Sequence, residues 1–151
     1  MATVEMTFTP LPAHVRTARL VATAVARRSG VAEQLLDEVR LAVGEACSRA
    51  VEVHQKHCPD EPVRVALTGV DKRFEVVVTN TAANDDGVEW PPVSDPGADG
   101  QGLPAALPGE LGLAVIAGLA DDVQVSRTGD GGLSIRMSWP SEEAGAADPV
   151  R

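Results

Sequence analysis

The spacing of apolar residues changes along the chain, and each change marks an element. "VEMTFTP" (4–10) alternates apolar and polar positions and stops at Pro10 and Pro12, which predicts a short first strand. From His14 to Ser29 the residues Val15, Ala18, Ala22, Val25 and Ala26 recur at helical spacing, and "SG" closes the run. A second helix is predicted from about Ala32 to His54. Its stripe is Leu36, Val39, Val43, Ala46, Ala50 and Val53, and "CPDEP" breaks it. Two valine-rich strands follow, "VRVALTG" and "FEVVVTN", separated by "VDKR", which reads as a hairpin connection.

From Thr81 to Pro108 the periodicity vanishes into Gly, Pro, Asp and Ala. A loop this long inside a compact domain is functional or mobile, or else a plain disordered insertion. Helical spacing returns in "ELGLAVIAGLADD". The strands "VQVSR" and "LSIRMSW", joined by "TGDGG", close the domain. This divides the chain into one domain over residues 1–140, containing the loop 81–108, and a tail over 141–151 whose composition predicts disorder. The order is β-α-α-β-β-loop-α-β-β. Tight turns between neighbouring strands make antiparallel pairs. The predicted class is α/β, more narrowly an α+β two-layer sandwich: a mixed, mostly antiparallel sheet with three helices on one face.

Composition narrows the possible functions. The 151 residues are 44% hydrophobic but only 3% aromatic, so the core is built mainly from Val, Leu and Ala. A net charge of −9 argues against nucleic acid and against an anionic membrane surface, both of which call for a basic face. The start, "MATVEMTFTP", has no basic and apolar regions of a signal peptide, and the most apolar run, "LGLAVIAGLA", is too short to span a bilayer. The two cysteines, Cys47 in the second helix and Cys58 just beyond it, lack metal-site spacing and are placed poorly for a disulfide. A reducing cytoplasm and two inert thiols fit best.

The candidate chemistry lies in "GEACSRAVEVH" (44–54), where Glu45 precedes Arg49 by one helical turn. The bland reading is an exposed i,i+4 ion pair worth ~0.3–0.5 kcal/mol. Together with the element order and the segment "LGLAVIAGLADDVQV", however, this helix resembles that of the Bergerat-fold (GHKL) ATPases, in particular the small anti-sigma-factor serine kinases. The resemblance covers residues 4 to 140.

In that family a helical Glu orients or activates a nucleophile, and an Asn one turn later holds magnesium. Glu45 matches the Glu as a possible catalytic residue. Arg49 stands in the place of the Asn, and a guanidinium has no lone pair for a metal, so the resemblance implies no magnesium held in the family manner and no other metal site. Arg49 could instead approach phosphate directly. The family's Asp-x-Gly-x-Gly, which meets the adenine amino group, corresponds to "TNTAANDDG", with Asn80 for the Asp and Ala82 and Asn84 for the glycines. Its glycine-rich entry to the last helix corresponds to "PGELGL". Gly109, Gly112 and Leu113 remain there, while Glu110 replaces a glycine. A Gly-Thr of the final strand becomes "GGLSI", with Leu133 for the Thr.

Arg49, Asn80, Glu110 and Leu133 together imply weak or altered binding of ATP or ADP on an intact platform. The resemblance then implies a partner-switching regulator that sequesters a sigma factor and is antagonised by a STAS-domain protein, with dimerisation through the first strand and helix. The alternatives are an active serine kinase that phosphorylates its STAS partner, and a nucleotide-free scaffold or dimerisation module.

Overall fold

A computed structural model describes residues 2–81, 108–128 and 132–142, with the side chains of residue 2 and residues 108–113 left out of the description. The elements follow the predicted order: β1 (Ala2–Phe8), α1 (Pro12–Arg28), α2 (Glu33–His57), β2 (Val63–Val70), β3 (Arg73–Asn80), α3 (Pro108–Leu119), β4 (Asp122–Arg127) and β5 (Leu133–Pro140). Most of the expected loop 81–108 and the tail beyond Glu142 lie outside the described residues.

Local chemistry sets the element ends. Pro12 opens α1, where its missing N–H and fixed φ cost nothing. α1 stops in a Schellman arrangement, with Gly30 at φ 95°, Val31 N–H donating to Ala26 O (3.0 Å) and Gly30 N–H donating to Arg27 O (3.1 Å). Arg27 and Arg28 complement the negative end of its dipole. β2 and β3 are joined by the two residues Asp71 (φ 55°) and Lys72 (φ 64°), the left-handed pair that a tight hairpin turn demands.

The five strands form one sheet in the order β1-β2-β3-β5-β4, and all four pairings are antiparallel. Alternation along the strands sends Val63, Val65, Leu67, Phe74, Val76, Val78, Ile135, Met137 and Trp139 to one face. There they meet Val15, Ala18, Ala22 and Ala26 of α1, the stripe of α2, and Ile116 of α3. The small residues of α1 and α2 let the two helices approach closely: Gly44 is buried, and a Cβ on it would lie 2.6 Å from Arg19 Cδ. Trp139 packs on Phe74 (ring centroids 6.2 Å apart) and donates its indole N–H to Leu119 O (3.1 Å), fastening the end of α3 to the last strand.

The second helix differs from its predicted form in two ways. It runs to His57, and its inward face near the end carries Val51 and His54 while Val53 is only half-buried. The first residues of the predicted tail are tied down, since Ser141 N–H donates to Lys72 O (2.8 Å) and Glu142 N–H to Gly30 O (3.0 Å).

Cys47 is fully buried and Cys58 half-buried, and both thiols are free. Burial pushes the Cys47 thiol up to about 12, against a smaller opposing pull from Arg19. Burial also raises Cys58. Because the folded-state pKa of Cys47 is raised, its contribution to stability is complete below about 9, where the unfolded thiol titrates, and is lost as pH climbs toward about 12. At pH 8 a thiol reagent should therefore label Cys58 in the native protein at least ~100-fold faster than Cys47, because the thiolate is the reactive form. Mass spectrometry of the labelled peptides checks this, and equal labelling would contradict a sealed Cys47.

Candidate functional site

The site is built where α2, the end of β3 and the start of β5 converge. α2 packs against both α1 and α3, and also against β3. One side of it, through Ala42, Val43, Ala46, Cys47, Ala50 and Val51, is consumed by the core. Glu45 and Arg49 stand half-buried at the border of that face, one turn apart. Partial burial lowers the pKa of the Arg49 guanidinium, and the charge of Glu52, on the following turn, opposes that shift. A cation held half out of water beside a carboxylate can meet an anionic group, but it offers a metal nothing.

Asn80 ends β3 opposite Leu133 in the β3–β5 ladder and is 5% exposed. Its side-chain Oδ1 accepts the Leu133 backbone N–H at 3.4 Å, a long bond. An amide oxygen has two lone pairs, and Leu133 engages one of them. Just before Leu133 the backbone of Gly132 comes so close that a Cβ there would sit 2.1 Å from Asn80 O and 3.0 Å from Thr81 Cα. Only a glycine fits this close approach of the two backbones. At Leu133, where the resemblance expects a Thr, it is the backbone N–H that reaches Asn80.

His54 went unassigned from the sequence, yet it organises this corner. It is fully buried. Its Nδ1 lies 2.8 Å from Glu61 O, and its Nε2 lies 3.1 Å from the Thr81 N. The Thr81 amide can only donate, so Nε2 is the unprotonated nitrogen and Nδ1–H donates to Glu61. Beside it, Gln55 Nε2 donates to Pro10 O (2.9 Å), which joins the same end of α2 to the β1–α1 connection.

The predicted residues fall into three groups. Asn80 is brought together with Leu133, Gly132, Thr81 and His54. Glu45 and Arg49 lie on the same helix as His54, about 14 and 8 Å of helical rise before it. Gly109 falls in the first turn of α3, whose amides are the ones a helix leaves free. Gly112 and Leu113 fall in the second turn, past them. Ala82 lies outside the described residues. Among the described residues no three His, Cys, Asp or Glu side chains group as a metal site, and no helix is long and apolar enough to cross a membrane. At the position where the resemblance expects a magnesium ligand, the Arg49 guanidinium has no lone pair to offer a metal.

Comparison with known proteins bears on the family and the fold. The sequence profile described as "Histidine kinase-like ATPase domain" matches residues 8–139. The serine-protein kinase RsbW of Bacillus pumilus (strain SAFR-032) is 26% identical over 137 residues, covering 89% of this chain and 83% of the relative. RsbW of Bacillus subtilis (strain 168) is 26% identical over 135 residues with the same coverage. Among solved structures, the RsbU and RsbW domains of a Mycobacterium tuberculosis protein superpose with a TM-score of 0.62 at 16% identity, over 93% of this chain and 33% of that one. At that identity the likeness speaks for the fold, and this chain spans a third of that protein's length.

Proposed function

This chain belongs to the histidine kinase-like ATPase domain family, and from that premise we propose that it is a partner-switching regulator of the RsbW type. In this reading it sequesters a sigma factor and releases it when a STAS-domain antagonist competes. Its own ATP or ADP binding is weak or altered. The observation that carries the reading is the contrast between a preserved platform and an altered phosphate end. The core and the Asn80–Leu133–Gly132 corner are in place, whereas Arg49 occupies the position of the metal ligand. Binding a protein partner needs surface and fold, and both survive the loss of a metal ligand.

One domain over residues 1–140 provides that surface, and we place the partner contact on the α2 side that carries Glu45 together with the segment that follows β3. β1 is an edge strand of the sheet, which leaves it available for pairing with a second copy. The absence of a membrane-crossing helix among the described residues and two free cysteines fit a cytoplasmic protein.

A second reading has its own support. Both curated relatives are named serine-protein kinases, and Glu45 stands where the family places its activating carboxylate. In that case the STAS serine oxygen would take the γ-phosphoryl group of ATP as ADP leaves, Glu45 would accept the serine proton, and Arg49 would hold phosphate directly.

Calorimetric titration with ATP and ADP, with and without magnesium, separates the readings when paired with capture from the cell's own extract. The expected result is nucleotide affinity that magnesium changes less than twofold, no detectable phosphotransfer, and recovery of a sigma factor or a STAS-domain protein. Tight magnesium-dependent ATP binding with phosphorylation of the STAS protein would establish the kinase. Recovery of neither partner by the stably folded protein, with no nucleotide bound, would leave the scaffold reading ahead.

A further inference from the structure

We propose that His54 is a positioning residue for the base end of the nucleotide site. The inference rests on the nucleotide part of the function proposed above. Asn80 is the residue that would meet the base, and its direction depends on the backbone on either side of it. On one side the β3–β5 ladder holds it. On the other, Thr81 is the first residue past the ladder, and its N–H is fixed by His54 Nε2 at 3.1 Å. His54 is anchored in turn through Nδ1 to Glu61 O at 2.8 Å, and it sits on a rigid helix with no exposure. The ring therefore transmits the position of α2 to the peptide that carries Asn80. The tight passage of Gly132 over Asn80 O leaves that peptide little room to shift without disturbing the Leu133 N–H bond to Oδ1.

Two substitutions split the two bonds of the ring. His54→Asn places an amide donor near the position of Nδ1, which keeps Glu61 O satisfied and leaves the Thr81 N–H without an acceptor. His54→Gln places an amide oxygen near the position of Nε2, which keeps the Thr81 bond and drops the one to Glu61. ADP affinity is measured by calorimetry, amide exchange of Thr81 and Leu133 by NMR, and folding by thermal melting.

The expected result is that H54N weakens ADP binding about 10-fold and speeds exchange of both amides at least 10-fold, while H54Q stays within about twofold of the wild type on both. Equal losses in the two variants, tracking their melting temperatures, would mean that the ring is structural only. Unchanged Leu133 exchange in H54N would also overturn the proposal. If the wild-type protein binds no adenine nucleotide, the nucleotide reading itself fails, and the exchange comparison alone decides whether His54 positions the end of β3.

Discussion

Gly132→Ala is expected to lower stability by about 3 kcal/mol or more, a drop of roughly 10 °C in melting temperature for a domain of this size. The added Cβ would lie 2.1 Å from Asn80 O, well inside contact distance. What it meets is backbone, and that backbone is pinned. Asn80 is paired with Leu133 in the ladder, and Thr81 is held by His54. No rotamer change relieves the clash, so the start of β5 has to separate from the end of β3. Nucleotide binding should fall with it, because the same movement displaces Asn80. Gly118→Ala supplies the control. It lies in α3, and a Cβ added there would meet nothing within 4 Å, so alanine should be neutral or stabilising by up to ~1 kcal/mol. Thermal and urea denaturation of the two variants should give opposite signs. A Gly132→Ala protein that melts with the wild type would show that the two strands do not approach so closely.

The combined variant Arg49→Asn, Asn80→Asp and Glu110→Gly is expected to raise magnesium–ATP affinity about 100-fold, which corresponds to ~3 kcal/mol. Each change acts on a different part of the site. An asparagine at position 49 offers a carbonyl oxygen where the guanidinium offers only donors, so a hard cation gains a ligand. Glu110 occupies the first turn of α3, where the free amides and the helix dipole favour an anion, and its removal leaves that end to phosphate. Aspartate at position 80 replaces a neutral acceptor with a charged one, typically stronger by about 1 kcal/mol. The gains need not add, because the groups share one ligand. A cost in stability is expected as well, since position 80 is 5% exposed and a carboxylate there is desolvated. Calorimetry with and without magnesium reads the effect. If the triple variant binds no better than the wild type, the site is not an ATP pocket that lost its metal ligand.

The fold was legible because apolar spacing is local information. Val15, Ala18, Ala22 and Ala26 could be placed on one helical face, and the alternation of "FEVVVTN" on one strand face, without knowing what covers them. Near the end of α2 the same reasoning drifted. A stripe drawn through Val53 missed that Val51 and His54 turn inward, because a polar residue breaks the apolar pattern even when its bonds let it be buried. Of the partners of His54, Glu61 lies just past the helix break and Thr81 across the β2–β3 hairpin, and both use main-chain atoms that no residue type announces. Leu133 illustrates the same limit. Its side chain marks a departure from the family pattern, while the group that reaches Asn80 is its backbone N–H. Gly132 was visible as one of a pair of glycines, but only the close approach to Asn80 distinguishes it from an ordinary turn residue.

The strand order β1-β2-β3-β5-β4 has a consequence for how the protein is made. β5 is the last described strand to leave the ribosome, and it lies inside the sheet, between two strands that precede it in the chain. Until it arrives, β3 shows an open edge, β4 has no partner, and Asn80 waits for both Gly132 and the Leu133 amide. A nascent or truncated chain that stops before Gly132 therefore lacks the middle of its sheet rather than a margin, and with it the backbone groups that meet Asn80. The Asn80 corner is therefore assembled only once β5 has joined the sheet.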